Sequence, residues 1–380
     1  MMFSSLRSSA SRSMTAGARR FSSNSSGGGG GGAAMPAALL ALAGTGYVYY
    51  DTQQQLDALK AQTNALQVEV SGKTNSAFVF IKPHACKGNP GAVEKVLEDK
   101  FKEAGIAIKE KGEMLAEKID KNMHIDTHYG AIASKAVKLK PSELNVPDKG
   151  KKQFKEAFGE DWDAAVASGK VYNAKDGAEK LGLDAEGLNK EWSKLTRGKN
   201  LIKFGGGFYC GKVKDIYIMN GFYMSMRAAY CNPGEKIQWY TVSWPADSLS
   251  WEDFRGEVLG ATDPSTAPKG SIRRTILDNF KALGLKSKPN TGDNGVHASA
   301  SPFEALAERV NWLGKKPEED SFGKGLLAKG VPADTIKKWS EDSQVSVEGE
   351  TKDGKTMSVF DALEDLDADA VLEKVDKISK

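Results

Sequence analysis

Apolar and polar positions follow two different periods along the middle of this chain. Ala77-Phe-Val-Phe-Ile-Lys-Pro83 is a continuous apolar run closed by a proline, which predicts a buried strand. From Gly91 to Phe101 the apolar residues Val93, Val96, Leu97 and Phe101 recur at helical spacing, and Ile106 to Leu115 returns to strand-like alternation. Lys236–Trp244 reads as a third strand, Ser250 opens a helix toward Leu259, and a strand lies at Val296. Pro302 then starts a helix with Phe303, Leu306, Val310 and Leu313 on one face. This order predicts an α+β fold with a ferredoxin-like split β-α-β core, an antiparallel sheet with helices on one face.

The first fifty residues follow neither period. Met1 to Tyr50 contains no Asp or Glu, while Arg7, Arg12, Arg19 and Arg20 stand among Ser and Ala. That composition predicts an organellar presequence over 1–21, mitochondrial in type with a plastid address as the alternative. Residues 22–32 form a Gly/Ser linker. Residues 33–50 carry no charge and read as a transmembrane segment near the lower length limit, or else as an Ala/Gly tether. Over 51–70, Leu56, Leu59, Thr63, Leu66 and Val70 mark a short coiled-coil stalk, too short to be stable alone. An Arg-rich end kept in the matrix would put the rest of an inner-membrane protein in the intermembrane space.

Composition removes several function classes. With 53 basic and 50 acidic residues in 380, the net charge is only +3, and no nucleic-acid-binding field is expected. Cys86, Cys210 and Cys231 are widely spaced, which excludes a metal-binding cysteine motif and a disulfide framework. No metal ligands are read from the sequence.

Chemistry concentrates around Asn294-Gly-Val-His297-Ala-Ser299, where an imidazole at a loop end is flanked by small residues. Two other motifs stand out: Phe80-Ile81-Lys82-Pro83, and Gly260-Ala-Thr262-Asp-Pro264 running to Gly270-Ser-Ile-Arg273. Together, with Lys82, Thr262, Arg273, Asn294 and His297 in that chain order, the three resemble those of nucleoside diphosphate kinases, over Ser76 to about Trp312. The resemblance implies nucleoside di- and triphosphates as substrates and ATP with nucleotide-bound Mg2+ as phosphoryl donor. It implies ping-pong transfer of the γ-phosphate through a phosphohistidine on His297. Lys82 would face the transferring phosphoryl group, Thr262 and Arg273 the β- and γ-oxygens, and Asn294 the ribose. Ser299 and Glu308 would orient the imidazole, and Tyr129 would lie near the transferred phosphate. A homo-oligomer is implied as well.

The departures from that pattern are specific. The family places an arginine four residues before the glycine of Gly-Ala-Thr; here that position is Gly256 and Arg255 lies one residue off. The family's Lys-Pro-Asp-Gly is Lys82-Pro83-His84-Ala85, with His84 read as a turn-surface residue. The kinase-like region is split into 76–129 and 220–313 by an insertion at 130–219, read as largely helical. Phe222 or Tyr223 would supply the platform for the base. Gly206-Gly-Phe-Tyr-Cys-Gly211-Lys212 has P-loop spacing, but Val213 stands where Ser or Thr is needed. Residues 314–380 form an extension with short amphipathic helices. These surplus segments keep a second reading open: a catalytically weak or inactive structural subunit of a mitochondrial inner-membrane assembly, with partners in that complex.

Overall fold

The computed structural model describes residues 37–205, 207–351 and 355–379, with side chains from Thr52 onward. The presequence (1–21), the linker (22–32) and the first four residues of the expected span lie outside the described residues. The chain divides into two units, Met1–Ala58 and Leu59–Lys380. All that is described of the first belongs to helix α1 (Ala37–Gly72). Among the described residues no helix is long and apolar enough to cross a membrane. The physical reason lies in Gly44-Thr45-Gly46, which dilutes the apolar stretch, and in the charged sequence that follows from Asp51. Stalk positions Leu56, Leu59, Leu66 and Val70 are exposed along α1.

The second unit is built on β1 (Thr74–Ile81), α2 (Ala92–Glu103) and β2 (Ala107–Leu115). The insertion contributes β3 (Val171–Asn173), β4 (Leu201–Gly205), β5 (Phe208–Val213) and β6 (Ile216–Met219). The core resumes with β7 (Lys236–Pro245), α3 (Ile272–Asp278), β8 (Val296–Ala298) and α4 (Pro302–Leu313). The core sheet runs β2-β7-β1-β8, antiparallel at every pairing. Counting only its own strands, the order is second, third, first, fourth, which is the ferredoxin-like arrangement.

Strand β1 is apolar throughout because both of its faces are covered. Ala77, Val79 and Ile81 enter a core with Val93, Leu97 and Phe101 of α2 and Ile272 and Ile276 of α3. Phe78 and Phe80 enter a second core with Ile119, Ile125 and Trp312. Each such aromatic contributes roughly 1.5–3 kcal/mol on burial. The core helices α2 and α3 thus share one face, as expected, while α4 and the segment around Ile119–Ile125 cover the other.

The insertion is helical over much of its length and adds a small sheet. Its helices include Asp148–Phe158 and Ala185–Trp192. Beside them lies a four-stranded sheet, β3-β6-β5-β4, with β3 and β6 parallel. Its strands span six residues or fewer, too short for a clear alternation. Strands β4 and β5 pair antiparallel.

The extension is bonded into the fold. Helix α5 (Ser321–Ala328) and helices Ala333–Trp339, Val359–Leu363 and Ala368–Lys374 share a core with Phe303 and Leu306 of α4. Asp367 Oδ1 accepts hydrogen bonds from Asn75 Nδ2 and the Trp251 amide, both at 2.7 Å.

Candidate active site

Strand β8 is only three residues long, and its register decides where the imidazole goes. His297 lies opposite Phe80 of β1. Directly paired residues share a face, and the two rings stack with centroids 4.7 Å apart. The turn before β8 needs Gly295, whose φ is +91° and where a Cβ would lie 2.9 Å from Ile276 Cδ1. That turn is pinned by His84, whose Nε2 accepts from the Gly295 amide at 3.1 Å. Burial pushes His84 down to about 4, so it stays a neutral acceptor. His84 is thus a half-buried strut of the site rather than a turn-surface residue.

Helix α4 brings Glu308 to the other side of the ring. Ser301 Oγ caps the helix by accepting from the Glu304 amide at 3.1 Å, with Pro302 in the first turn and Gly314 at φ +68° beyond its end. One turn further on, Glu308 Oε1 lies within hydrogen-bond distance of His297 Nε2, at 2.5 Å. Its Oε2 accepts from Ser299 Oγ at 2.5 Å, and Ser299 Oγ in turn accepts from the Phe78 amide at 3.0 Å. Burial raises the Glu308 pKa to about 7; in its ionised form the carboxylate fixes the ring proton on Nε2 and leaves Nδ1 with its lone pair.

One member of this cluster was not singled out from the sequence. His128 Nδ1 lies 3.3 Å from Glu308 Oε1, and its ring meets that of His297 edge-on, with centroids 4.5 Å apart. Burial pushes His128 down to about 3. Its only sequence signal was its place beside Tyr129, whose ring contacts it at 4.7 Å. Tyr129 is itself largely buried, and burial raises its pKa.

Cations face the imidazole. Burial, then Lys82, Arg273 and Arg255, hold the His297 pKa well below the ordinary range. Arg273 donates to Gly260 O at 2.8 Å and from Nη2 to Val296 O at 3.1 Å, and among the described residues it pairs with no carboxylate. Gly260 has φ +92°, and a Cβ there would fall 2.5 Å from Ser271 Oγ. Lys82 donates to Gly292 O at 3.0 Å. Burial and the neighbouring Arg273 push it down to about 8, with Asp293 pulling the other way. Asn294 donates from Nδ2 to Thr262 O at 3.0 Å, and among the described residues its buried Oδ1 has no hydrogen-bond partner. The Thr262 side chain is exposed beside it.

Arg255 resolves its one-residue offset through backbone geometry. Phe254–Leu259 is a π-helical turn, closed by the Gly260 amide donating to Arg255 O at 3.0 Å. A π-turn takes one more residue than an α-turn, so a residue five before Gly260 stands where a residue four before would stand on an α-helix. Its guanidinium is held by the extension, donating to Glu364 at 2.8 Å and to Asp365.

The two aromatics expected as a base platform stand apart from this cluster. Tyr223 is fully buried and donates to Asp126 Oδ1 at 2.9 Å. Phe222 packs against Trp192 and Tyr209 of the insertion. Aromatic spacing alone could not reveal that the insertion claims both.

No family model matches this sequence, and neither does any curated protein. Among solved structures, the chain is similar to the apo nucleoside diphosphate kinase of Encephalitozoon cuniculi. Identity is 14%, covering 63% of this chain and 89% of that one, with a TM-score of 0.31. It is also similar to the nucleoside-diphosphate kinase of Borrelia burgdorferi with bound vanadate and ADP. There identity is 15%, covering 65% of this chain and 90% of that one, with a TM-score of 0.28. Superposition this loose carries no argument about chemistry; the strand order and the side-chain geometry stand on their own.

Proposed function

We propose that this chain is a phosphotransferase of the nucleoside diphosphate kinase type, acting through a phosphohistidine on His297. The observation that carries the reading is a neutral imidazole held at Nε2 by Glu308 while Lys82 and Arg273 bias its surroundings toward an anion. Nδ1 would attack the γ-phosphorus of a nucleoside triphosphate as the bond to the bridging oxygen breaks and the diphosphate leaves. Positive charge developing on the ring is stabilised by the Glu308 carboxylate, itself fixed by Ser299. The second half-reaction runs this backward onto a different diphosphate. Asn294 Oδ1, a buried acceptor, suits a sugar hydroxyl. Magnesium would arrive on the nucleotide phosphates and reduce their charge.

A second reading, a structural subunit with little or no activity, draws on Arg255 being bonded to Glu364 and on the burial of Tyr223. Mitochondrial inner-membrane location, an intermembrane-space domain and a homo-oligomer remain expectations of the sequence and its resemblance. The test uses the full chain with γ-labelled ATP and Mg2+, followed by GDP, beside His297→Ala. Acid-labile label that chases into GTP and is absent from the variant supports the kinase. A folded protein that takes up no label favours the structural subunit.

A further inference from the structure

A cavity of about 810 Å3 reaches the rear of the His297 cluster, bounded by Tyr129, Lys135, Glu304, Asp342 and Phe360. His128 and Glu308 form part of its wall. We propose that His128 Nδ1, His297 Nε2 and Glu308 Oε1 constitute a binding site for a divalent transition-metal ion of the Zn2+ type. One ligand atom from each of the three residues lies within 4.8 Å of the other two. Zinc bonds of about 2.0–2.2 Å in a tetrahedral set hold ligand atoms roughly 3.3–3.5 Å apart. The His128–Glu308 distance of 3.3 Å already meets this, and the 2.5 Å between His297 and Glu308 must widen by roughly 1 Å.

The donor set selects the ion. Two imidazoles and one carboxylate suit zinc and its neighbours, whereas magnesium and calcium require oxygen-rich cages. Three protein ligands leave a fourth position for water, as in zinc sites that remain open. The supporting shell is present: Ser299 Oγ fixes the far oxygen of Glu308, and both rings are packed against Phe80. The cavity supplies the approach, and Glu341, Asp342 and Asp361 outnumber Lys135 and Lys138 along it.

The site does not depend on the phosphohistidine reading, but its consequence does. An ion on Nε2 displaces the proton held by Glu308 and withdraws electron density from the ring that would attack through Nδ1. Zn2+ would therefore oppose labelling of His297.

The test titrates the full chain, free of nucleotide and magnesium, with Co2+ read by visible absorption and with Zn2+ read by calorimetry. The expected result is one ion per chain, a four-coordinate Co2+ spectrum without thiolate charge-transfer bands, and displacement of Co2+ by Zn2+. His128→Phe keeps a ring against Phe80 and His297, and Glu308→Gln keeps the side-chain size. Each is expected to weaken binding at least tenfold. No uptake by the wild type overturns the proposal, as does affinity unchanged in both variants or a thiolate spectrum. A wild type that binds Co2+ but is never labelled by ATP leaves the metal site standing and removes the kinase.

Discussion

The ion pair between Arg309 of α4 and Asp320 at the head of α5 gives a sharp test of whether the extension is part of the fold. Arg309 Nε donates to Asp320 Oδ2 at 2.6 Å, and the two side chains are 5% and 7% exposed. Arg309 Nη1 also donates to Ser76 O at 3.0 Å, which ties the pair to β1. Asp320 Oδ1 caps α5, accepting from the Phe322 and Gly323 amides at 3.0 and 3.1 Å. Asp320→Asn keeps an oxygen for the cap and removes the charge, leaving a buried guanidinium without its counter-ion. Breaking a buried pair in this way costs about 3–5 kcal/mol, against about 0.2–1 kcal/mol for an exposed one. Arg309→Met combined with Asp320→Asn removes both charges and is expected to recover most of the loss. The assay is urea unfolding of the full chain, followed by tryptophan fluorescence, for the wild type, Asp320→Asn, Arg309→Met and the double variant. The pH dependence has a definite sign. Burial raises the Asp320 pKa, but Arg309 and the two amides outweigh it and hold it below the usual value. Its contribution is therefore full above the unfolded carboxylate pKa and lost as pH falls through the lower folded one. An Asp320→Asn cost below about 1 kcal/mol, or no recovery in the double variant, would refute the reasoning.

Two further outcomes concern the cations around His297. Replacing Glu364 with Gln and Asp365 with Asn releases Arg255; Asn tolerates the left-handed φ of +60° at position 365. Because both pairs are partly exposed, stability should change by less than about 1 kcal/mol per pair, while ATP labelling of His297 rises up to roughly tenfold. Unchanged labelling would show that Arg255 does not reach phosphate. Lys82, held near 8 by burial and Arg273, should lose its charge as pH rises through that value, and labelling at low ATP should fall with it. Asp293→Asn removes the upward pull and should move that fall to lower pH. A rate flat across this range sinks the assignment of Lys82 to the phosphoryl group.

What was legible in the sequence was what local pattern encodes. The run from Ala77 to Ile81 is apolar at consecutive positions because β1 is central and covered on both faces. The pairing of His297 with Glu308 could be anticipated because a short strand, a turn and a capped helix connect them, so few arrangements remain. His128 carried no such signal, for it reaches Glu308 from a distant part of the chain. The engagement of Arg255 by Glu364 and Asp365 was hidden for the same reason. The π-turn at Phe254–Leu259 was a local feature, yet it showed in the sequence only as an arginine one place out of step.

Helix α4 explains why the core, the extension and the site form one cooperative arrangement. Phe303 and Leu306 anchor the extension, Ala305 enters the core shared with α2, and Trp312 packs under Phe78 and Phe80. Glu308 lies between these contacts, so its position relative to His297 is set by three packing surfaces at once. Interiors packed at crystal-like density transmit displacement rather than absorb it. A change in the seating of the extension should therefore be felt at the Glu308–His297 hydrogen bond, through α4, without any residue of the extension touching the imidazole. The insertion reaches the same cluster from the cavity side, where its Lys135 lines the cavity together with Glu304 and Glu308. Both segments that this chain adds to the ferredoxin-like core thus bear on one imidazole, and its orientation is the quantity through which either would act.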